Sequence, residues 1–182
     1  MDKVASSKAF GFGIFAIAAW LVSMSMSGLA HIGFNAPMGT VADLAFLGLL
    51  IAAIAAFLRH ETWLAFFFML WSAAYFAGGG MAAAGWGWLA LSLVNFYLAF
   101  AASKCEQEPA VTLAVFLIAI SALGAGLSGV LGTMLAAHIG GYFGLAAALV
   151  AFYISAAYIT HPSGCETMPC MHRKTRQTAT LM

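Results

Sequence analysis

The chain has 182 residues, of which 64% are hydrophobic and 7% charged, with a net charge of +1 and a mean hydropathy of +0.98. Soluble domains carry about 25% charged residues because their surfaces must be hydrated, and seven Lys and Arg with six Asp and Glu cannot cover a water-facing surface. This composition excludes most soluble enzymes, nucleic-acid binding through a basic patch and secreted disulfide scaffolds. It predicts an all-α integral membrane protein whose first partner is the lipid bilayer.

A helix needs about 20 mainly apolar residues to cross the hydrocarbon core. Six such runs follow one another along the chain. They are Phe10 to Leu29, Met38 to Leu58, Thr62 to Ala83, the short Trp86 to Ala102, Ala110 to Gly132, and a last run from Thr133 or Ala136 to Ile159. Polar or glycine breaks separate them at Asn35-Ala36-Pro37, Arg59-His60-Glu61, Gly85, Lys104 to Pro109, and Gly132, the softest of the five. None of the runs alternates apolar with polar, as a barrel wall must. The expected architecture is a compact bundle of six transmembrane helices over residues 10–160, with a cytoplasmic N-terminal segment over 1–9 and a cytoplasmic polar tail over 161–182. The tail lacks periodicity and on its own should be disordered. Asp2-Lys3 and Lys8 precede a first run too long for a signal-peptide core, so this run is expected to stay as a span.

The basic residues support the count of spans independently. With six spans, Lys3, Lys8, Arg59, Lys104, Arg173, Lys174 and Arg176 all fall on one side, and these are all the Lys and Arg in the chain. The positive-inside rule then predicts a multi-pass protein with both termini in the cytoplasm.

Polar groups at membrane depth are costly, and they are the first candidates for function. Asp43 lies near the start of the second span, where a carboxylate reaches interfacial water or serves the helix N-terminus. His138, Tyr142 and Tyr153 share one broad face of the sixth helix and could line a route for a weak acid or its proton; an aromatic belt with one core histidine is the alternative. Ser72, Ser92 and Asn95 are the mid-span polar groups of the central helices, suited to substrate contact or to hydrogen bonds between helices. The expected pathway set is His138, Tyr142, Tyr153, Asn95, Ser72 and Asp43. Met24 and Met26, two residues apart, point to different helix faces and make no metal ladder.

In the tail, His161, Cys165, Cys170 and His172 are remote candidate ligands for zinc or copper. Their spacing fits no standard finger, and three cysteines on a reducing side are ordinary thiols. No metal, no cofactor and no enzyme activity are expected. Glycines recur along the spans (Gly11 with Gly13, Gly124 with Gly126 and Gly129, Gly140 with Gly144). Such faces let helices approach closely within a bundle or between protomers, or they leave room for a narrow axial path.

The last span carries a resemblance. His138-Ile139-Gly140-Gly141-Tyr142-Phe143-Gly144 looks like the H-x-x-G-W-x-G of the acetate uptake transporters, also called succinate–acetate permeases. Ala151 and Tyr153 fall where that family has A-x-Y, and Gly11-Phe12-Gly13 matches the G-F-G of its first span. Other motifs depart. Lys3 to Lys8 replace the family's N-P-A-P-L-G, Ala56 stands where its second-span acid would be, and of its third-span G-S-F-W only Ser72 survives in Trp71-Ser72-Ala73-Ala74. The resemblance implies a six-helix bundle in a ring-shaped homo-oligomer, passing small monocarboxylates with protons or as a channel. Two functional readings therefore stand side by side: a proton-linked transporter or channel for a small weak acid such as acetate, and a non-transporting subunit or assembly factor beside other membrane subunits.

Overall fold

The computed structural model describes residues 7–29, 37–104 and 108–160, without the side chains of 37–40 and 78–84. The described residues form six α-helices and no strand: α1 (Ser7–Met26), α2 (Pro37–Leu58), α3 (Thr62–Ala84), α4 (Trp86–Lys104), α5 (Pro109–Leu131) and α6 (Met134–Thr160). Within apolar runs the backbone has only itself to hydrogen-bond, and a helix is the structure that satisfies every such group locally. Five of the helices, α1, α2, α4, α5 and α6, are long and apolar enough to cross a bilayer, while the apolar stretch described in α3 is the shorter Thr62–Ala77.

Left-handed backbone closes α3 and α5. Gly132 (φ +67°) closes α5, its N–H donating to Ser128 O at 2.9 Å, and only Thr133 separates it from α6. This soft break is a genuine helix terminus because glycine carries no Cβ penalty there. Gly85 (φ +64°) divides α3 from α4 under a second constraint, since a Cβ would stand 2.8 Å from Val130 N and 2.9 Å from Gly126 O. α1 starts at Ser7, ahead of its first long apolar side chain, and the Ser7 hydroxyl donates to Glu61 Oε2 at 2.8 Å.

Each helix packs on its neighbours in sequence, and α6 returns to α1, so the six close a ring in chain order. The seam between α3 and α4 is the thinnest, and α3 also touches α5. The small-residue faces are used inside this ring. A Cβ on Gly124 would stand 2.6 Å from the Cα of Gly140, one on Gly141 would overlap the backbone of Ser27, and one on Gly144 would overlap the Ser23 hydroxyl. The Gly140–Gly144 face is therefore an intramolecular seam of α6 against α5 and α1, and it is not open to a second protomer. Large apolar side chains such as Phe57, Phe76, Leu93 and Phe100 point outward. On a soluble surface they would form an aggregation-prone patch; on a lipid-facing wall they are expected.

Rings fill the axis towards the end where α1 begins. Phe12 and Phe15 of α1 meet Phe67, Phe68 and Trp71 of α3 across the middle of the ring, with centroids 5.2–6.0 Å apart. Trp63 stacks on Phe67 at 5.6 Å. Such edge-to-face and offset pairs are favourable beyond simple packing.

Candidate functional site

Beyond this aromatic plug the axis opens into a small cavity of about 20 Å³, enough for about one water molecule. Trp71 is its floor, because the same indole packs on Phe15 at 5.2 Å. The wall is mostly apolar, with Ser23, Ser121, Trp71, Tyr75 and Trp88 distributed over α1, α3, α4 and α5, and with Met26 beside them. Among the described residues no Lys, Arg, His, Asp or Glu lines it.

Ser23 and Ser121 are only 2% and 5% exposed. Both face the place where Gly144 lacks a side chain, since a methyl there would overlap the Ser23 hydroxyl and stand 2.7 Å from Ser121 Oγ. Trp71 is held by a buried bond, Nε1–H donating to Asn95 Oδ1 at 3.1 Å, and Asn95 Nδ2 donates in turn to Leu91 O at 2.7 Å.

The residues expected from sequence to line a pathway are dispersed. Asn95 is fully buried and reaches the cavity only through Trp71. Ser72 donates to Phe46 O at 3.0 Å and ties α3 to α2. His138 is half-buried beside Gly28, whose Cβ would stand 3.1 Å from Nε2. It thus lies near the end of α1 that also carries Met26. Tyr142 and Tyr153 share a face, as helical spacing requires, but they are 55% and 43% exposed on the outside of the ring. Asp43 is exposed near the start of α2. None of the six lines the cavity directly. Of the two cavity serines only Ser23 stands in a visible pattern, a Ser23-Ser25-Ser27 run that two-residue spacing scatters over the helix. Nothing in the sequence shows that Ser121, Tyr75 and Trp88 meet them.

At the opposite end of the axis a polar network joins four elements. Tyr158 Oη donates to Glu108 Oε1, Lys8 Nζ donates to Tyr158 Oη at 3.2 Å and sits 5.1 Å from its ring centroid, and Ser7 bonds Glu61. The ends of α1, α5 and α6 and the turn before α3 are thereby drawn together over the aromatic plug. Among the described residues no group of three or more His, Cys, Asp or Glu is placed to hold a metal. The tail candidates His161, Cys165, Cys170 and His172, and Cys105, lie outside the described residues.

Six helices in a closed ring, five of them able to cross a bilayer, define an all-α, multi-pass integral membrane protein. This is also the fold of a solved structure described as that of the bacterial acetate channel SatP, to which the chain is similar with a TM-score of 0.77 and 12% identity, over 88% of this chain and 94% of that one. No protein-family model matches the sequence, and no curated protein does. The resemblance read from the last span and from Gly11-Phe12-Gly13 thus agrees with the fold.

Proposed function

We propose that the chain is a channel or transporter for a small weak acid such as acetate, proton-linked, with the axial cavity on its route and α3 as the sixth span. The observation that carries this reading is the cavity itself. It is a mostly apolar space, with serine, tyrosine and tryptophan residues in its wall, inside a helical ring that has the fold of an acetate channel. His138, near the same end as Met26, stands at the mouth of the route, and Asn95 fixes the indole that forms its floor. The wall carries no cation, and a bare carboxylate in such surroundings costs several kcal/mol even after relaxation. The species that crosses is therefore the neutral acid, or an acid that shares its proton. Both termini lie in the cytoplasm, on the strength of the basic residues. The outward face of α6 with Tyr142 and Tyr153, next to an apolar groove between Trp20 and Phe152, is the surface for a homo-oligomer.

Uptake of labelled acetate into proteoliposomes is the test. It should exceed the empty-liposome rate and rise as the external pH falls below neutral. If neither acetate nor formate, lactate, succinate or urea enters above that rate, the transport reading fails. The second reading, a non-transporting membrane subunit, then takes its place. The observation favouring that reading is the narrowness of the cavity above a closed aromatic plug.

A further inference from the structure

We propose that Ser23 and Ser121, converging over the bare backbone of Gly144, form a binding site for one protonated short-chain carboxylic acid. The proposal rests on the reading of the chain as a small-acid transporter, and it assigns where the acid is held.

Seven serines are buried among the described residues, and five of them donate to a protein acceptor, Ser7 to the Glu61 carboxylate. Ser72, Ser92 and Ser155 each reach a carbonyl on another helix, Phe46 O at 3.0 Å, Ala119 O at 2.9 Å and Ala9 O at 2.7 Å. Ser27 donates back to Met24 O at 3.1 Å. Hydroxyls at membrane depth are expected to do this, because lipid supplies no partner. Ser23 and Ser121 depart from the pattern. Among the described residues neither hydroxyl has a hydrogen-bond partner, deeply placed as both are. Among the described residues no side-chain nitrogen or oxygen is both sealed off and unpartnered. The small surface each serine retains therefore includes its hydroxyl, and both residues line the cavity.

Gly144 completes the arrangement. Any side chain there would occupy the point on which the two hydroxyls converge. One hydroxyl comes from α1 and the other from α5, and the α6 backbone at Gly144 packs beside them, outside the cavity lining. A serine hydroxyl donates one hydrogen bond and accepts others. A protonated carboxyl has one O–H and one C=O, so it satisfies one serine as acceptor and the other as donor. Among the described residues the only titratable side chain on the wall is the phenol of Tyr75, which leaves an anion without an opposite charge. A cavity that holds about one water must widen to admit the four heavy atoms of a two-carbon acid, and Met26, unbranched and adaptable, is the lining side chain suited to move.

The test uses the full-length protein. Labelled acetate uptake at acidic pH is compared for wild type, Ser23→Ala, Ser121→Ala, the double variant and the control Ser92→Ala. A lost hydrogen bond corresponds to about fivefold in affinity. Each single variant should therefore raise the half-saturating acetate concentration about fivefold, and the double variant about 25-fold. Ser92→Ala, whose hydroxyl is bonded elsewhere, should lower thermal stability and leave half-saturation unchanged. A double variant that saturates like wild type overturns the site, while its uptake still upholds transport. If wild type carries no acetate, the transport reading fails and the site is decided by saturation-transfer NMR of acetic acid with the detergent-solubilised protein. A signal in wild type that is lost in the double variant supports the site. No signal in wild type, water alone occupying the position, or an equal signal in both, overturns it.

Discussion

Trp71 is the residue at which plug and cavity meet, and Asn95 is what holds it. The pair also shows why the chemistry of single polar residues is hard to read from a helix sequence. Asn95 was visible as a costly mid-span amide, but its partner Trp71, on another helix, could not be inferred from spacing along the chain. The structure makes it a positioning residue with both of its polar ends satisfied. Asn95→Leu should therefore leave the indole N–H unpaired and destabilise the protein by about 1–3 kcal/mol, measured by thermal unfolding in detergent. Combining it with Trp71→Phe should cost less than the sum of the two single changes, because the second substitution removes the orphaned donor. Strict additivity would show that the bond is not formed. Phe67 stands at the centre of the plug, against Phe12, Phe15, Trp63 and Phe68. Phe67→Ala should cost about 3–5 kcal/mol and speed acetate entry by opening the axis; unchanged entry would place the barrier elsewhere.

The helices themselves were legible because length and hydropathy decide them, and the observed ends lie within a few residues of the apolar runs. Even the soft break at Gly132 coincides with a left-handed C-cap. What each glycine face packs against was not legible, since a small-residue pair reads the same whether its partner is the next helix or another copy of the chain. The α5–α6 seam uses Gly124 and Gly140 for backbone contact. Gly124→Leu should accordingly exceed the about 1–3 kcal/mol of ordinary overpacking, because backbone rather than a flexible side chain is in the way. Folded yield after mild extraction would show this. Gly144→Ala should fold better than Gly124→Leu yet still abolish acetate uptake, since its methyl falls on the Ser23 and Ser121 hydroxyls. Normal uptake by that variant would remove α6 from the route.

At the scale of the whole molecule, the ring closed in chain order places an aromatic plug and a polar network at one end and the cavity beyond them. Composition predicts the bundle, but the cavity arises from side chains on four helices that are far apart in sequence. The outward turn of Tyr142 and Tyr153 likewise depends on how α6 is rotated against α1 and α5, which their shared face alone does not fix. The orientation proposed for the bundle places Ser103 in the cytoplasm and Thr133 outside. In a background with Cys105, Cys165 and Cys170 replaced by serine, Ser103→Cys and Thr133→Cys should react with an impermeant thiol reagent from opposite sides. Labelling from the same side would contradict the positive-inside assignment.

The central claim is that solute crosses along the axis, through the cavity, and not along the outer face of α6. In the same cysteine-free background, Ser121→Cys and Tyr153→Cys can each be modified with methyl methanethiosulfonate, and labelled acetate uptake measured before and after. Modification at position 121 should stop uptake, while modification at position 153 should leave it intact. Loss of uptake on modifying position 153, with position 121 modified and still permeable, would contradict it.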